Sequence, residues 1–345
     1  SAFQEPLERL YAERPDFVRP ENRYNEALSF LRQGLNDISL SRSQLTWGVP
    51  VPWDDRHVFY VWFDALLNYY TALTYARPGE DLTGRFWPAT VHVMAKDILK
   101  FHAVIWPALL MAAELEVPKQ LFVHGYLLME EEKMSKSLGN VIDPFQVMDL
   151  YGTDALRYYL MREVNFGQDG SVSPEGFETR YTTELANEYG NLASRTLAMV
   201  ARYRDGIVPP AEPPDALTRD FAELAERVAE GFDAVAVTPA LDEIWRLVRR
   251  LNQYAQDEAP WQLAKDEGAA ERLDQVLYAL AEGVRVVTVL LHPFVPASAE
   301  RLLAALGDED LSLDRAWFGA GGGGARIGEL PPLFPRVERA GAAAA

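Results

Sequence analysis

The spacing of apolar positions changes along the chain, and its first part alternates between strand-like and helix-like segments. Short runs rich in β-branched and aromatic residues at 57–63, 90–95 and 120–128 predict three strands. Apolar residues at three- and four-residue spacing predict helices at 64–76 and 100–115. Strand, helix and strand at this spacing are typical of a parallel α/β unit.

From about residue 179 the pattern is almost entirely helical. The segment 183–204 carries its larger residues on one stripe, and amphipathic segments follow at 217–256 and 269–291. The stripe comprises Leu185, Tyr189, Leu192, Thr196, Val200 and Tyr203. A proline-rich loop at 209–214 ends the first helix, and a helix bundle is the simplest interpretation. The fold class predicted is α/β followed by all-α.

The composition excludes several classes of protein. Acidic residues outnumber basic ones by 51 to 33, and the formal net charge of −18 counts against a broad, non-specific nucleic-acid binder. Because the chain has no cysteine, a disulfide framework, a cysteine-ligated zinc site and thiol catalysis are excluded. No apolar run approaches the ~18 residues that cross a bilayer, and the polar start lacks a signal peptide's apolar region. We therefore expect a cytoplasmic protein with no membrane partner.

The strongest chemical signal is a loop that reads Lys-Met-Ser-Lys-Ser at 133–137, followed by Leu-Gly-Asn. The ammonium groups of Lys133 and Lys136 sit on a short loop that contains serine and glycine. Such a loop can bend over a triphosphate and neutralise charge that develops on a leaving pyrophosphate. A solvated surface loop with two ordinary lysines has the same composition. The residues alone leave both interpretations open.

This loop resembles the signature loop of the class I aminoacyl-tRNA synthetases, and its surroundings resemble one branch of them, the methionyl-tRNA synthetases. The similarity extends from about residue 16 to about residue 306. It is carried by TWGVPVPWDDRHVFYVWFDALLNYYTAL, KDILKFHAVIWPALLMAA, FVHGYLL, YGTDALRYYLMRE, NEYGNLASRT and DEAPWQLAK. The resemblance implies the second half of a Rossmann-like catalytic domain and an α-helical anticodon-binding bundle. It also implies activation of methionine with ATP and Mg²⁺, and transfer of the product, methionyl-adenylate, to methionine tRNA.

The resemblance implies five segments along the chain. They are the end of an inserted connective region at 1–45, the second half of the Rossmann-like domain at 46–130, a signature-loop and stem-contact region at 131–180, a helical anticodon-binding domain at 181–306, and a C-terminal extension at 307–345. The extension contains four consecutive glycines and an alanine-rich tail. The glycines match no phosphate-loop spacing and favour a flexible connection.

The resemblance assigns the methionine pocket to four residues. Trp62 and Tyr69 match an aromatic pair that lines the thioether pocket, where polarizable sulfur gains from aromatic walls. Asp97 matches the carboxylate that meets the substrate ammonium, and it follows a predicted strand at the sheet edge where ligands bind. His102 matches the pocket histidine. From the residues alone, Trp62 and Tyr69 fit the core of a strand and a helix equally well, and His102 fits a structural histidine.

For ATP, the resemblance implies two groups of residues. In the signature loop, Lys133 and Lys136 are the catalytic residues, and Ser135, Lys136 and Ser137 contact ATP.

The second group lies at the ends of two predicted strands. Asp97 approaches the ribose, and His124 and Gly125 border the adenine; a buried strand end with a turn glycine is the alternative for the latter two. The sequence departs from the family at Ala95, where glycine is usual, and the added methyl group bears on the ribose contact.

A third set concerns the anticodon. Asn191 and Arg195 are four residues apart, hence on one helical face, and Asn187 lies one turn earlier. Amide and guanidinium groups suit the edge of an unstacked base, although a solvated helix face has the same composition. The resemblance assigns these residues to anticodon binding. It adds Trp261 as a stacking platform, which after a proline is otherwise a core residue at a helix start.

A class I synthetase also needs a His-x-Gly-His element, and no two of the five histidines have that spacing. They are His57, His92, His102, His124 and His292. In the family this element lies upstream of the point that matches Ser1, with most of the inserted domain and its cysteine-ligated zinc. The resemblance therefore implies a C-terminal portion of the enzyme, with no zinc site of its own and inactive alone.

Two alternatives stay open at this stage. One is a related class I synthetase for another apolar amino acid or for cysteine, because the signature loop alone does not specify methionine. The other is a non-catalytic tRNA-binding module that retains the bundle and has lost the active site.

Overall fold

The structure, a computed structural model, describes residues 1–75, 77–129, 132–133 and 142–337, with the backbone alone at 132–133. The described chain forms two compact units. Unit 1 comprises Ser1–Tyr126 and Gly167–Asp169, and unit 2 comprises Leu127–Phe166 with the described part of Gly170–Ala345. The finer division into five segments stays a prediction.

Unit 1 is built on a parallel three-stranded sheet. Its elements in chain order are α1 (Gln4–Glu13), β1 (Val18–Arg19), α2 (Glu21–Arg32), β2 (Ser41–Arg42), β3 (Pro50–Val51), β4 (Asp54–Phe59), α3 (Val61–Tyr75), α4 (Thr83–Phe86), β5 (Val91–Ala95), a 3₁₀ turn (Lys96–Ile98), a π-helical segment (Phe101–Ile105), α5 (Trp106–Ala112) and β6 (Gln120–His124). The strand order is β1-β6-β5, with Val18 opposite Leu121 and Ala95 opposite His124. The predicted parallel α/β unit is confirmed.

The first two helices pack against this sheet. Leu7, Tyr11 and Leu31 share a core with Leu121 and Val123 of the central strand β6. Three successive residues of β6 at 121–123 are buried, as expected for a strand covered on both faces.

The predicted strand at 57–63 is wrong in its extent. β4 ends at Phe59 in a small antiparallel sheet of order β2-β4-β3, and α3 begins at Val61. Trp62 therefore lies on a helix. The error arises because a short apolar run has no period of its own: Trp62, Leu66 and Tyr69 follow the helical spacing, and the strand draws on the polar residues before Phe59.

The predicted single strand at 120–128 is also wrong. β6 ends at His124, and the chain resumes as β7 (Leu127–Met129) in a different sheet of unit 2. The break falls at Gly125, whose backbone lies against Gln168 and Asp169. This contact is distant in sequence, so no local pattern could indicate it.

Unit 2 is mainly a helix bundle. After β7 its elements are β8 (Glu132–Lys133), α6 (Pro144–Tyr151), α7 (Thr153–Arg162), β9 (Gly170–Val172), α8 (Pro174–Arg180), a π-helical segment (Tyr181–Gly190), α9 (Asn191–Arg204), α10 (Asp215–Phe221), α11 (Leu224–Asp233), α12 (Val237–Glu258), α13 (Pro260–Leu263), α14 (Ala270–Leu291) and α15 (Pro296–Leu306), with 3₁₀ turns at Glu267–Ala269 and Leu313–Arg315. α14 is buried at every residue from 276 to 291, as expected of the central helix of a bundle. The predicted bundle is confirmed. Among the helices described, none is both long and apolar enough to span a membrane.

Candidate functional site

The carboxyl ends of β5 and β6 lie side by side, because Ala95 pairs with His124. Beyond β5 the 3₁₀ turn presents Asp97, which is exposed to solvent. Ala95 has φ −77° and ψ 155°, an ordinary extended conformation that a side chain adopts without strain. The structure thus brings Asp97, His124 and Gly125 to one edge of the parallel sheet, where open α/β sheets bind their ligands.

Gly125 is required at this edge for steric reasons. A Cβ atom there would lie 2.3 Å from both the backbone nitrogen of Asp169 and the carbonyl carbon of Gln168. His124 Nδ1 donates to the carbonyl oxygen of Gly125 at 2.8 Å, which fixes the imidazole over the turn. The backbone at this edge is therefore tightly constrained.

An ion pair closes the same turn. Lys96 Nζ lies 2.5 Å from Asp169 Oδ2, and the other carboxylate oxygen accepts the amide N–H of Tyr126 at 2.8 Å. Lys96 also lies over the Tyr126 ring, 4.5 Å from its centroid. The hydrogen bond from Lys96, followed by that from Tyr126, lowers the pKa of Asp169. This pair ties the residue that precedes Asp97 to the segment that packs on Gly125.

The predicted aromatic pair lies two turns apart on α3. Trp62 is half-buried and stacks on Phe101, with ring centroids 4.0 Å apart and planes 13° from parallel. Leu66, between the two aromatic residues, is buried, whereas Tyr69 keeps 39% of its surface exposed. Trp62 and Tyr69 thus lie on the same face of α3, and the Tyr69 ring is accessible to solvent.

The Tyr69 hydroxyl is held by His102. His102 Nδ1 lies 3.1 Å from the carbonyl oxygen of Ile98 and donates a hydrogen bond to it. His102 Nε2 therefore accepts a hydrogen bond from the Tyr69 hydroxyl, at 2.9 Å. Burial lowers the pKa of His102, against the opposing effect of the Ile98 carbonyl, and burial raises the pKa of Tyr69. Both groups are neutral near pH 7. The predicted residues Tyr69 and His102 are in direct contact.

The signature loop is largely outside the described residues. Lys133 is described only as backbone in β8, where it pairs with Leu128. Ser135, Lys136 and Ser137 lie outside the described residues. Their assigned roles stay predictions.

The predicted anticodon residues lie on one helical run. Asn187 belongs to the π-helical segment, and Asn191 begins α9; both are exposed. Arg195 is half-buried, with its guanidinium carbon 5.7 Å from the centroid of the Trp261 ring. Trp261 lies on the short helix α13 and is itself half-buried, so it retains an accessible face. The structure brings Arg195 and Trp261 together.

A polar groove adjoins Asn187. It has a volume of about 370 Å³ and is lined by Thr183, Asn187, Glu188, Arg249, Asn252, Gln253 and Gln256. Arg249 Nε lies 3.2 Å from Glu188 Oε2, and Asn252 donates to the carbonyl oxygen of Glu188 at 3.0 Å. The face around Asn187 is therefore rich in amide groups and holds few unpaired charges.

A buried ionic cluster anchors this helical run. Arg162 Nη2 lies 3.2 Å and Arg180 Nη1 lies 2.8 Å from Glu184 Oε1, and the Tyr158 hydroxyl donates to the same carboxylate. Burial alone would raise the pKa of Glu184, but the hydrogen bonds from Arg162 and Tyr158 and the nearby positive charges lower it. Glu184 therefore stays ionised, and it fixes the π-helical segment to α7.

Sequence reasoning missed several residues of these sites. Phe101 and the Lys96–Asp169 pair were not singled out, and neither was His92, which lies against Tyr69. A polar His92 inside an otherwise apolar strand pattern was the available signal. The partnership between Lys96 and Asp169 spans 73 positions and leaves no local pattern.

Within 1–75, 77–129 and 142–337, no cluster of three or more histidine, aspartate or glutamate side chains is arranged to hold a metal ion. The absence of a zinc site from the whole chain stays a prediction.

Comparison with known proteins identifies the family. Residues 1–197 match the family model described as tRNA synthetases class I (M), which covers more than half of the chain. The chain belongs to the methionyl-tRNA synthetase family. Residues 208–319 match a second model, the anticodon binding domain of methionyl tRNA ligase. The resemblance inferred from the sequence, and the fold class it implied, are confirmed.

Individual relatives agree with this family. A methionine–tRNA ligase from Caldanaerobacter subterraneus is 44% identical over 98% of this chain and 54% of its own length. One from Bacillus subtilis is 43% identical over 97% of this chain and 52% of its own length. A structure of Mycobacterium tuberculosis methionyl-tRNA synthetase in complex with methionyl-adenylate is 44% identical with a TM-score of 0.89, covering 97% of this chain and 67% of that one. The chain spans about half the length of the curated methionyl-tRNA synthetases it matches.

Proposed function

We propose that this chain supplies the methionine pocket, part of the ATP site and the anticodon-binding surface of a methionine–tRNA ligase. In the first proposed step, a carboxylate oxygen of methionine attacks the α-phosphorus of Mg²⁺-bound ATP, and pyrophosphate leaves. In the second, a terminal hydroxyl of methionine tRNA takes the acyl group, and AMP leaves. The carrying observation is the aromatic pair Trp62 and Tyr69, two turns apart on α3, with the Tyr69 hydroxyl hydrogen-bonded to His102.

The pocket chemistry fits a thioether side chain. The stacked Trp62 and the partly exposed Tyr69 offer polarizable ring surfaces, which sulfur contacts favourably. The Tyr69 hydroxyl donates a hydrogen bond to neutral His102 and keeps its proton, so the pair presents a neutral wall. We assign the contact with the substrate ammonium group to Asp97, whose carboxylate is exposed beyond the carboxyl end of β5.

For ATP, we assign the adenine border to His124 and Gly125, and the ribose contact to the region of Asp97. The backbone of Gln168 and Asp169 packs on Gly125 where a side chain would lie, and this contact keeps the turn beside His124 in place. We assign the triphosphate to Lys133, Ser135, Lys136 and Ser137 of the signature loop. Two ammonium groups placed there would stabilise charge that develops on the leaving pyrophosphate.

For tRNA, we assign the reading of the anticodon to Asn187, Asn191, Arg195 and Trp261. A chain of net charge −18 gains no bulk attraction to a polyanion, so recognition must come from a few placed contacts. Trp261 offers an accessible ring face, and Arg195 beside it offers guanidinium donors. As an enzyme of protein synthesis, the proposed ligase would act in the cytoplasm.

Methionine-dependent exchange of pyrophosphate into ATP tests this proposal. The protein that carries this chain should show exchange with methionine and not with leucine or cysteine. Trp62→Ala should raise the KM for methionine at least tenfold. Trp47→Ala is the matched control, because Trp47 is 91% exposed. The 345 residues alone should show no exchange, because they contain no His-x-Gly-His element.

The outcomes separate the alternatives. Exchange driven by another amino acid would assign the site to a related synthetase. If the protein that carries this chain binds methionine tRNA but shows no pyrophosphate exchange, it is a non-catalytic tRNA-binding module.

A further inference from the structure

A connected cluster of aromatic rings adjoins the candidate methionine pocket; it includes Tyr69, His92, His102 and Trp106 and continues to Trp87. Tyr69 lies against His92, with ring centroids 4.4 Å apart, and near Trp106 at 6.1 Å. Trp106 donates its indole N–H to His92 Nε2 at 3.3 Å, and Tyr69 donates its hydroxyl to His102. Tyr69 is therefore contacted by one histidine at its ring face and by another at its hydroxyl.

We propose that His92 is a positioning residue for methionine binding. It supports the Tyr69 ring from behind and, by accepting the Trp106 indole N–H, fixes the ring against which Tyr69 rests. The inference rests on the proposed function, because it assumes that the exposed part of Tyr69 forms a wall of the methionine pocket. His92 itself is buried, so it acts through Tyr69 and Trp106 without touching the ligand.

A histidine at this place needs an explanation, because its neighbours in β5 would suit an apolar core residue. Met94, on the same face of the strand two residues later, is buried and apolar. The explanation lies in Trp106, which is fully buried and whose indole N–H requires an acceptor. Phenylalanine at 92 could support Tyr69 equally well, but it would leave that donor unsatisfied.

The hydrogen bond also specifies the state of the imidazole. Nε2 accepts, so the proton of neutral His92 is on Nδ1. His102 is likewise protonated on Nδ1, because that atom donates to Ile98. Burial, and then the nearby His102, lower the pKa of His92, which is consistent with two neutral rings packed around Tyr69. Each histidine thus uses one nitrogen to hold another aromatic side chain.

Two substitutions separate the two contributions. His92→Phe keeps an aromatic ring behind Tyr69 and removes the acceptor; His92→Gln keeps an acceptor for Trp106 and removes the ring. Val93→Gln is the matched control, because Val93 is the next residue of β5 and is 55% exposed. Methionine and ATP dissociation constants would be measured by calorimetry for each variant of the protein that carries this chain, with thermal unfolding in parallel.

We expect His92→Phe to weaken methionine binding about tenfold and to leave ATP binding unchanged, because Trp106 loses the hydrogen bond that fixes it against Tyr69. His92→Gln should recover part of that loss, and Val93→Gln should match the wild type. Lower thermal stability with unchanged methionine affinity in both His92 variants would reduce His92 to a core residue and overturn the inference. If His92→Phe does not fold, the result for His92→Gln decides: an unchanged dissociation constant overturns the inference, and a weakened one supports it.

The proposed function can fail separately. If the wild-type protein does not bind methionine, the pocket assignment itself is wrong. A nitrogen-15 spectrum of the imidazoles, assigned by the signal lost in His92→Phe, tests the arrangement without a ligand. A proton on Nε2 of His92 at pH 7 would contradict the hydrogen bond from Trp106 and overturn the inference.

Discussion

At the scale of single residues, the sheet edge depends on atoms that a side chain would displace. Gly125 has backbone neighbours 2.3 Å from the position of a Cβ atom, whereas Gly84, in the short helix α4, has nothing within 4 Å. Two glycines in the same unit thus stand in opposite packing environments.

Gly125→Ala should destabilise unit 1 by about 3 kcal/mol, because backbone atoms of Gln168 and Asp169 cannot rotate away as a side chain would. Gly84→Ala should be neutral or stabilise by ~0.5–1 kcal/mol, since alanine restricts the unfolded chain. Urea unfolding of both variants provides the comparison. Equal stabilities would show that the turn at 125 relaxes freely, which would contradict the packing described.

The stability of unit 1 should fall between pH 6.5 and pH 4. His92 has its pKa lowered from 6.5 to about 4 in the folded chain. Between these values the unfolded chain binds more protons, so the free energy of unfolding decreases as the pH falls. His92 alone accounts for on the order of 2 kcal/mol of that decrease at pH 4.5, and His102, whose pKa is also lowered, adds to it.

Denaturant titrations at pH 7, 5.5 and 4.5 measure this decrease. In His92→Phe the slope should be shallower, because one of the two titrating groups is gone. The same slope in wild type and variant would mean that another group is responsible.

At the scale of elements, sequence patterns located the helices well and the strand ends poorly. The helical run at 183–204 was predicted with its buried stripe because three- and four-residue spacing repeats over many turns; that its first part, up to Gly190, is π-helical was not predicted. The run at 120–128 contains two strands, and the contact that divides them joins Gly125 to residues more than forty positions away. The candidate site residues were assigned from the resemblance to the synthetase family. Their contacts with Phe101, Asp169 and His92 came only from the folded chain.

The anticodon assignment can be tested at Trp261, which lies on the short helix α13. Trp261→Ala should weaken binding of a tRNA with a CAU anticodon by one to two decades, because base stacking on an aromatic ring contributes about 1–3 kcal/mol and a decade is ~1.4 kcal/mol. A tRNA with a changed first anticodon base should scarcely respond. Trp317→Ala is the control, since Trp317 is a 57% exposed tryptophan of the same unit that is not among the residues assigned to the anticodon.

Fluorescence titration at two salt concentrations makes this comparison. The salt dependence should be unchanged, because stacking releases no counterions. Equal losses for both tRNAs would indicate that Trp261 supports the bundle and reads no base.

At the scale of the whole molecule, the net charge is −18, so an anionic substrate such as ATP must be met by a few placed cations. The two lysines of the signature loop are the candidates for this role. Lys136→Ala, in the protein that carries this chain, should slow methionyl-adenylate formation by about two to three orders of magnitude with little change in ATP affinity. The expected reason is that the ammonium group meets charge that is fully developed only in the transition state. Single-turnover kinetics with varied ATP separates the rate from the affinity. A fall in ATP affinity with an unchanged rate would mean that Lys136 binds ATP in the ground state and does not stabilise the transition state.

The π-helical segment Tyr181–Gly190 has a consequence for how the sequence can change. Its hydrogen bonds reach back five residues, as from the Asn191 N–H to the Ala186 carbonyl, so it holds more residues per turn than an α-helix. A wide turn of this kind absorbs one residue more than an α-helical turn, so removing one residue lets the turn narrow to the α form with the flanking faces still in line. The buried cluster holds Arg180 and Glu184 at the start of the segment, and Asn191 and Arg195 lie after its end. Removing one residue from the α-helical part after Asn191 would instead turn everything beyond it by about 100°, because no wide turn is there to absorb the change. The π-helical segment is therefore the place in this helical run where the chain length can change by one residue without turning the proposed base-reading face away.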